Sequence, residues 1–220
     1  MTRGWYSWVL PSITSLLEHN NPEVVYILAE DDEIPNIPPV CKVINVSDQT
    51  LVKKTSPNWK NFFCWIILLR VCLPEILDCD KVLHLDADTI INDDLTPVWE
   101  TDVEGKWFAA VPEYVGVYKP YRDKYYNAGV MLYNLEQMRK DNIVPKFLDE
   151  INNKQYRFPE QDILNRFGVP DKAVDLPVRY NESFCCGYTQ DPAIVHYAGY
   201  GNWYGNRSMY RSEFLTKYIG

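Results

Sequence analysis

The chain has 220 residues, of which 46% are hydrophobic and 24% charged, and its formal net charge is −8. That balance fits one sizeable α/β domain and excludes a disordered chain. The acidic surplus argues against nucleic acid as a partner, because phosphate backbones need clustered Lys and Arg, and it leaves no basic tail for an anionic membrane.

Taken in chain order, the apolar spacing from Trp8 to His19 predicts a helix that stops at Asn20-Asn21-Pro22. Residues 24–28 read as a buried strand and residues 40–46 as a second, alternating one. An apolar helix is expected from Trp59 to Leu69, reaching Arg70 and breaking near Pro74. Residues 81–85 form a short strand that continues into Asp86-Ala87-Asp88-Thr89-Ile90-Ile91, and Asn92-Asp93-Asp94 closes it as a turn. Residues 108–111 and 129–133 are further strands. Helices are expected at 135–139, 144–151 and 161–167, and 193–195 is a late strand ending at His196.

Strands alternating with helices predict a single α/β domain over residues 1–220, with a mostly parallel central sheet. The opening, Met1-Thr2-Arg3-Gly4-Trp5-Tyr6, runs straight into a helix. The first buried strand usual in a nucleotide-binding α/β fold is therefore read as missing or truncated. Cys41, Cys64, Cys72, Cys79, Cys185 and Cys186 contain no CxxC pair, and adjacent Cys185 and Cys186 are too cramped for an ordinary disulfide. Reduced thiols in a cytoplasmic protein are expected. No signal peptide and no transmembrane segment is expected, since the longest apolar run, 62–69, is too short to span a bilayer.

In open α/β sheets, ligands lie beyond the carboxyl ends of the strands. Asp86 and His196 each follow an apolar strand and would project from that rim. If the strand persisted, Asp86 and Asp88 would share a face; if the chain turns, both converge on one cation. Hard divalent ions favour carboxylate oxygens, and an added imidazole suits Mn2+ better than Mg2+. His84, two residues before Asp86, shares its face as a supporting group. The bland readings are a solvated acidic turn and a structural histidine.

The segment Lys81-Val82-Leu83-His84-Leu85-Asp86-Ala87-Asp88-Thr89-Ile90 resembles the DxD metal segment of glycosyltransferase family 8. Further stretches agree in order. Leu68-Leu69-Arg70 precedes Leu73-Pro74, Asn127-Ala128-Gly129-Val130 resembles an NAGV-type strand, and Glu160-Gln161-Asp162 resembles a DQD-type helix start. His196-Tyr197-Ala198-Gly199 resembles an HxxG segment. The resemblance implies a GT-A fold (Rossmann-like), a UDP-sugar donor, Mn2+ with Mg2+ as second choice, and hexose transfer with retention of configuration. The acceptor, a glycan, lipid or protein, is not named by it. It implies metal ligation by Asp86, Asp88 and His196, diphosphate or ribose contact by Arg70, and donor-sugar contacts by Asn127 and Glu160. Gln161 would lie near the anomeric carbon, Gly199 would be part of the donor site, and Thr2 and Tyr6 would be the remnant of the base edge.

Two departures stand out. Glu160 replaces the usual Asp, and Asn202 stands where the family carries a lysine, with Arg207 as a candidate substitute. Residues 113–124 would form a variable loop over the donor. The competing readings are a non-catalytic sugar-nucleotide or glycan-binding relative, and a haloacid-dehalogenase-type phosphohydrolase in which Asp86 is the nucleophile and Asp88 the general acid.

Overall fold

The structure is a computed structural model that describes residues 1–60, 63–114, 124–199 and 211–219. A 3-10 helix, Arg3–Trp8, leads into α1 (Leu10–His19). Pro11 sits in the first turn of α1, where its missing N–H costs no hydrogen bond. Strands β1 (Val25–Ala29) and β2 (Cys41–Asn45) pair in parallel, Val25 with Cys41 through Ala29 with Asn45. Met1 extends this pair: its amino group donates to the Leu28 carbonyl, and Glu30 N donates to the Met1 carbonyl at 3.1 Å. Met1 thereby occupies the place beside β1 where a further strand would run.

A helix was expected from Trp59 to Leu69. The structure instead has a 3-10 helix, Trp65–Cys72, running into the short α2 (Leu73–Ile76). Trp65, Ile66, Ile67 and Val71 are poor helix formers, and five residues of this stretch are buried. Tertiary packing therefore sets its shape, and Arg70 near its end reaches the Ala128 carbonyl at 3.4 Å.

The remaining strands are β3 (Lys81–Leu85), β4 (Thr89–Ile91), β5 (Phe108–Pro112), β6 (Tyr126–Asn134), β7 (Ala173–Asp175) and β8 (Ile194–His196). The larger sheet has the order β3-β6-β5-β7, and β4 pairs with β8. The α/β class holds, and the sheets are mixed. Pairing is parallel at β1–β2 and β5–β7, and antiparallel at β3–β6, β5–β6 and β4–β8. The alternation of strands with helices suggested a mostly parallel sheet, whereas β6 runs antiparallel to both of its neighbours. Here two core clusters cover it, Met131 and Tyr133 on one side and Val130 and Leu132 on the other. Burial of both faces, not strand direction, is what its apolar run encodes.

Helices α3 (Thr96–Trp99), α4 (Leu135–Lys140), α5 (Val144–Asn153), α6 (Pro159–Gly168) and α7 (Ser212–Ile219) complete the fold. Asn134 caps α4 by accepting from Gln137 N at 2.9 Å. The start of α7 is anchored by Arg211, whose Nε donates to the fully buried Glu182 at 2.9 Å, and whose carbonyl accepts from the Tyr197 hydroxyl at 2.9 Å. Among the described residues no helix is long and apolar enough to cross a membrane.

Candidate functional site

Asp86-Ala87-Asp88 is the turn between β3 and β4. Three hydrogen bonds fix it: Asp86 N to Gly129 O at 2.7 Å, Thr89 Oγ1 to Asp86 O at 2.7 Å, and Tyr197 N to Asp88 O at 2.9 Å. The β4–β8 register pairs Thr89 with His196, which carries the imidazole beside Asp88. His196 Nε2 lies 3.3 Å from Asp88 Oδ1 and 3.7 Å from Asp86 Oδ2. One ligand atom from each of the three residues falls within 4.8 Å of the others. Bonds of about 2.1 Å at right angles set neighbouring ligand atoms about 3 Å apart, so small adjustments suffice to hold a hard divalent cation. Two carboxylates with one imidazole suit Mn2+ and tolerate Mg2+.

The two oxygens of Asp86 have separate tasks. Oδ1 pairs with Arg70 Nη2 and lies 3.2 Å from His84 Nε2, while Oδ2 faces His196. Burial alone would raise the Asp86 carboxyl, but Arg70, with His84 and His196, holds it well below the usual carboxylate range. Burial, followed by Arg70, pushes the His84 imidazole down, so His84 supports Asp86 as a neutral ring. Burial would lower His196 too, yet Asp88 and then Asp86 raise it. Arg70 also donates through Nη1 to Glu160 Oε1 at 3.1 Å. Its guanidinium is thus engaged between two carboxylates, where the family resemblance implied contact with the diphosphate or ribose.

Beside this cluster the β5–β6 register breaks. Ala110 pairs with Met131 but Pro112 with Tyr126, so the extra residues of β6 bulge around Asn127-Ala128-Gly129. Within the bulge Asn127 Oδ1 accepts from Gly129 N at 2.9 Å. Asn127 Nδ2 and Gln161 Nε2 both donate to Glu113 Oε1, at 3.0 and 3.1 Å, and Gln161 Oε1 accepts from Ala128 N at 2.8 Å. Asn127, Glu160 and Gln161 are therefore brought together, with Glu160 and Gln161 in the first turn of α6. Burial raises the Glu113 carboxyl, against the hydrogen bonds from Asn127 and Gln161.

Gly129 is required by close approach, since a Cβ there would meet His196 Cε1 at 2.0 Å. Gly129→Ala is expected to destabilise the fold by about 1–3 kcal/mol through overpacking and to displace the imidazole. Chemical denaturation together with a Mn2+ titration checks both effects.

Glu160 Oε2 is buried without a hydrogen-bond partner among the described residues. Burial pushes this carboxyl up to about 7, against the attraction of Arg70. The folded chain then holds a proton that the unfolded chain has released above the ordinary glutamate value of 4.5. The contribution of Glu160 to stability is therefore complete at low pH and is lost as pH rises through its folded value. Unfolding by urea between about pH 5 and about pH 8 should show this fall, and Glu160→Gln should flatten it.

Comparison with known proteins decides the lineage. A family model described as "Glycosyl transferase family 8" matches residues 35–203. The chain belongs to glycosyl transferase family 8. It is 27% identical over 211 residues to glycosyltransferase GlyA of Streptococcus pneumoniae, covering 88% of this chain and 30% of GlyA. It is 26% identical over 179 residues to general stress protein A of Bacillus subtilis, covering 66% of this chain and 62% of that protein. The chain thus spans less than two thirds of the length of these relatives. Among solved structures, the galactosyltransferase LgtC in complex with donor and acceptor sugar analogs superposes with a TM-score of 0.78. That match has 21% identity and covers 100% of this chain and 93% of LgtC. This likeness shows the GT-A fold.

The stretch matched by the family 8 model holds nearly every residue singled out in the sequence, while Thr2 and Tyr6 precede it. Thr2 O accepts from Trp5 N at 2.9 Å, and the Tyr6 hydroxyl donates to Asp31 at 2.8 Å, just after β1. Gly199 has a φ of +76° and lies against the Phe184 ring, so any side chain there would be strained and crowded. Asn202 and Arg207 lie outside the described residues, as do residues 115–123 of the expected loop. Two residues bonded into this cluster were not singled out as site candidates, Glu113 being read only as the start of a loop over the donor. Glu113 directly follows β5, so the rule that drew attention to Asp86 and His196 would have found it. Asn181 lies in irregular chain and carries no pattern to mark it.

Proposed function

We propose that this domain transfers a hexose from a UDP-sugar, with retention of configuration, in a reaction that depends on Mn2+. The reading is carried by the convergence of Asp86, Asp88 and His196 at the carboxyl rim of a family 8 fold. A divalent cation held there would offset the negative charge that develops on the departing diphosphate. Asp86 and Asp88 supply anionic oxygens, and His196 supplies a nitrogen from a fixed ring. Arg70 holds Asp86 and Glu160 in place and adds positive charge on the diphosphate side. Asn127 and Glu160 hold donor hydroxyls, with Glu113 beside them. The Gln161 carboxamide, held by Ala128 N and Glu113, would lie near the anomeric carbon.

A cavity of about 330 Å³ lies at the ends of β1 and β2, lined by Arg3, Glu30, Ser47, Lys54, Trp59 and Trp65. It suits the nucleoside end of the donor. The Trp59 and Trp65 rings stack at 4.6 Å, and Trp65 Nε1 donates to Glu30 at 2.9 Å, which fixes one aromatic wall. Tyr114 N donates to Cys185 O at 2.7 Å, joining the backbone at the exposed Tyr114 to the segment bearing exposed Phe184. An acceptor, whether glycan, lipid or protein, would approach over these rings. Free thiols at all six cysteines fit a reducing, cytoplasmic setting.

Family membership displaces the phosphohydrolase reading. A non-catalytic relative is the remaining alternative, and UDP release decides between the two. A screen of UDP-sugars with Mn2+ and with chelator should show release from at least one donor that chelator abolishes. Binding of UDP-sugar with no release under any condition would favour the non-catalytic relative.

A further inference from the structure

The hydrogen bonds behind His196 have a direction, and a single backbone group sets it. Gly129 N–H can only donate, so the Asn127 atom 2.9 Å away is its carbonyl oxygen. The Asn127 amide nitrogen then faces Glu113 at 3.0 Å, as a carboxylate requires. Asn181 approaches the same Asn127 oxygen at 2.9 Å and must present its own amide nitrogen there. Its carbonyl oxygen is left facing His196 Nδ1 at 2.8 Å. Nδ1 must therefore carry a proton, so in the neutral ring the lone pair is left on Nε2, toward Asp86 and Asp88. Asn181 is fully buried. It is held beside β8 because Glu182 N donates to Ile194 O at 2.9 Å and His196 N donates to Glu182 O at 2.8 Å.

We infer that Asn181 is a positioning residue that joins the cation cluster to the donor-sugar pocket, fixing the His196 tautomer through its carbonyl and the Asn127 side chain through its amide. This rests on the reading of Asp86, Asp88 and His196 as a cation site. Groups that orient a metal-bound imidazole from behind change metal affinity by about 10–100-fold when removed.

The two ends of one carboxamide can be separated by substitution. Asn181→Ala removes both and is expected to weaken Mn2+ binding by about 10–100-fold. Asn181→Asp keeps an acceptor for the Nδ1 proton but offers no donor to Asn127. It should bind Mn2+ within a few-fold of wild type while KM for the sugar donor rises. Mn2+ titration calorimetry gives the affinities and thermal melts verify folding. 15N spectra of labelled histidine, taken without cation and at a pH above the raised titration range of His196 so that the ring is neutral, report the tautomer. Wild type should show Nδ1–H at His196, and Asn181→Ala a mixture. The inference is overturned if folded Asn181→Ala keeps wild-type Mn2+ affinity and a pure Nδ1–H tautomer, or if folded Asn181→Asp loses as much Mn2+ affinity as the alanine variant. Wild-type protein that binds no Mn2+ at all would instead end the cation reading, and this inference with it.

Discussion

Replacing Arg70 by methionine is expected to lower unfolding stability by about 3 kcal/mol, the lower end of the cost of breaking a buried ion pair from one side. The Arg70 side chain is 14% exposed and lies between Asp86 and Glu160, which are 21% and 7% exposed. Methionine fills much of the same volume, so the loss is chiefly electrostatic. Glu160 can escape by taking up a proton, because burial already raises it to about 7. Asp86 has no such escape, since His84 and His196 also favour its charged form. The cost therefore falls mainly on Asp86. Denaturant unfolding of Arg70→Met, Asp86→Asn and the double variant gives the coupling directly. The double variant should be distinctly more stable than the sum of the single losses. Strict additivity would mean that Arg70 does not hold Asp86, and the role given to it here would fail.

Replacing Asp88 by asparagine should have the opposite profile, a small effect on stability and a large one on turnover. Asp88 is 29% exposed at the end of its turn, and its backbone carbonyl, which accepts from Tyr197, is untouched by the change. The amide keeps the shape and removes one of two anionic oxygens. Loss of a direct ligand should exceed the roughly 10–100-fold that loss of a supporting group costs, so Mn2+-dependent UDP release should fall by about 100-fold or more. A melting temperature close to wild type, measured beside the release assay, separates lost chemistry from lost fold. Undiminished release would remove Asp88 from the cation site.

Much of this is legible in the amino-acid sequence. The strand at Lys81–Leu85 has the bounds that its apolar run suggested, and His196 ends a strand as expected. Apolar runs bounded by turns mark strands because burial and backbone pairing act together over a few residues. Strand direction was not legible, because a run buried on both faces reads alike in parallel and antiparallel sheets. The 3-10 helix at Trp65–Cys72 was read as an α-helix because apolar spacing records burial and not hydrogen-bond pitch. Asp86, Asp88 and His196 could be singled out because they lie at or just past the ends of apolar strands. The bulge at Asn127-Ala128-Gly129 could not be seen, since it depends on register with β5. Asn181 likewise depends on a contact across 15 residues with His196, which no local pattern encodes.

The central claim is that two carboxylates and one distant imidazole grip a single divalent cation. Electron paramagnetic resonance of Mn2+ titrated into the protein with UDP tests it most directly. Wild type should bind one Mn2+, and Asp86→Asn, Asp88→Asn and His196→Ala, each shown to be folded, should each weaken that binding. One Mn2+ bound equally well by wild type and all three variants would place the cation elsewhere and contradict the assignment.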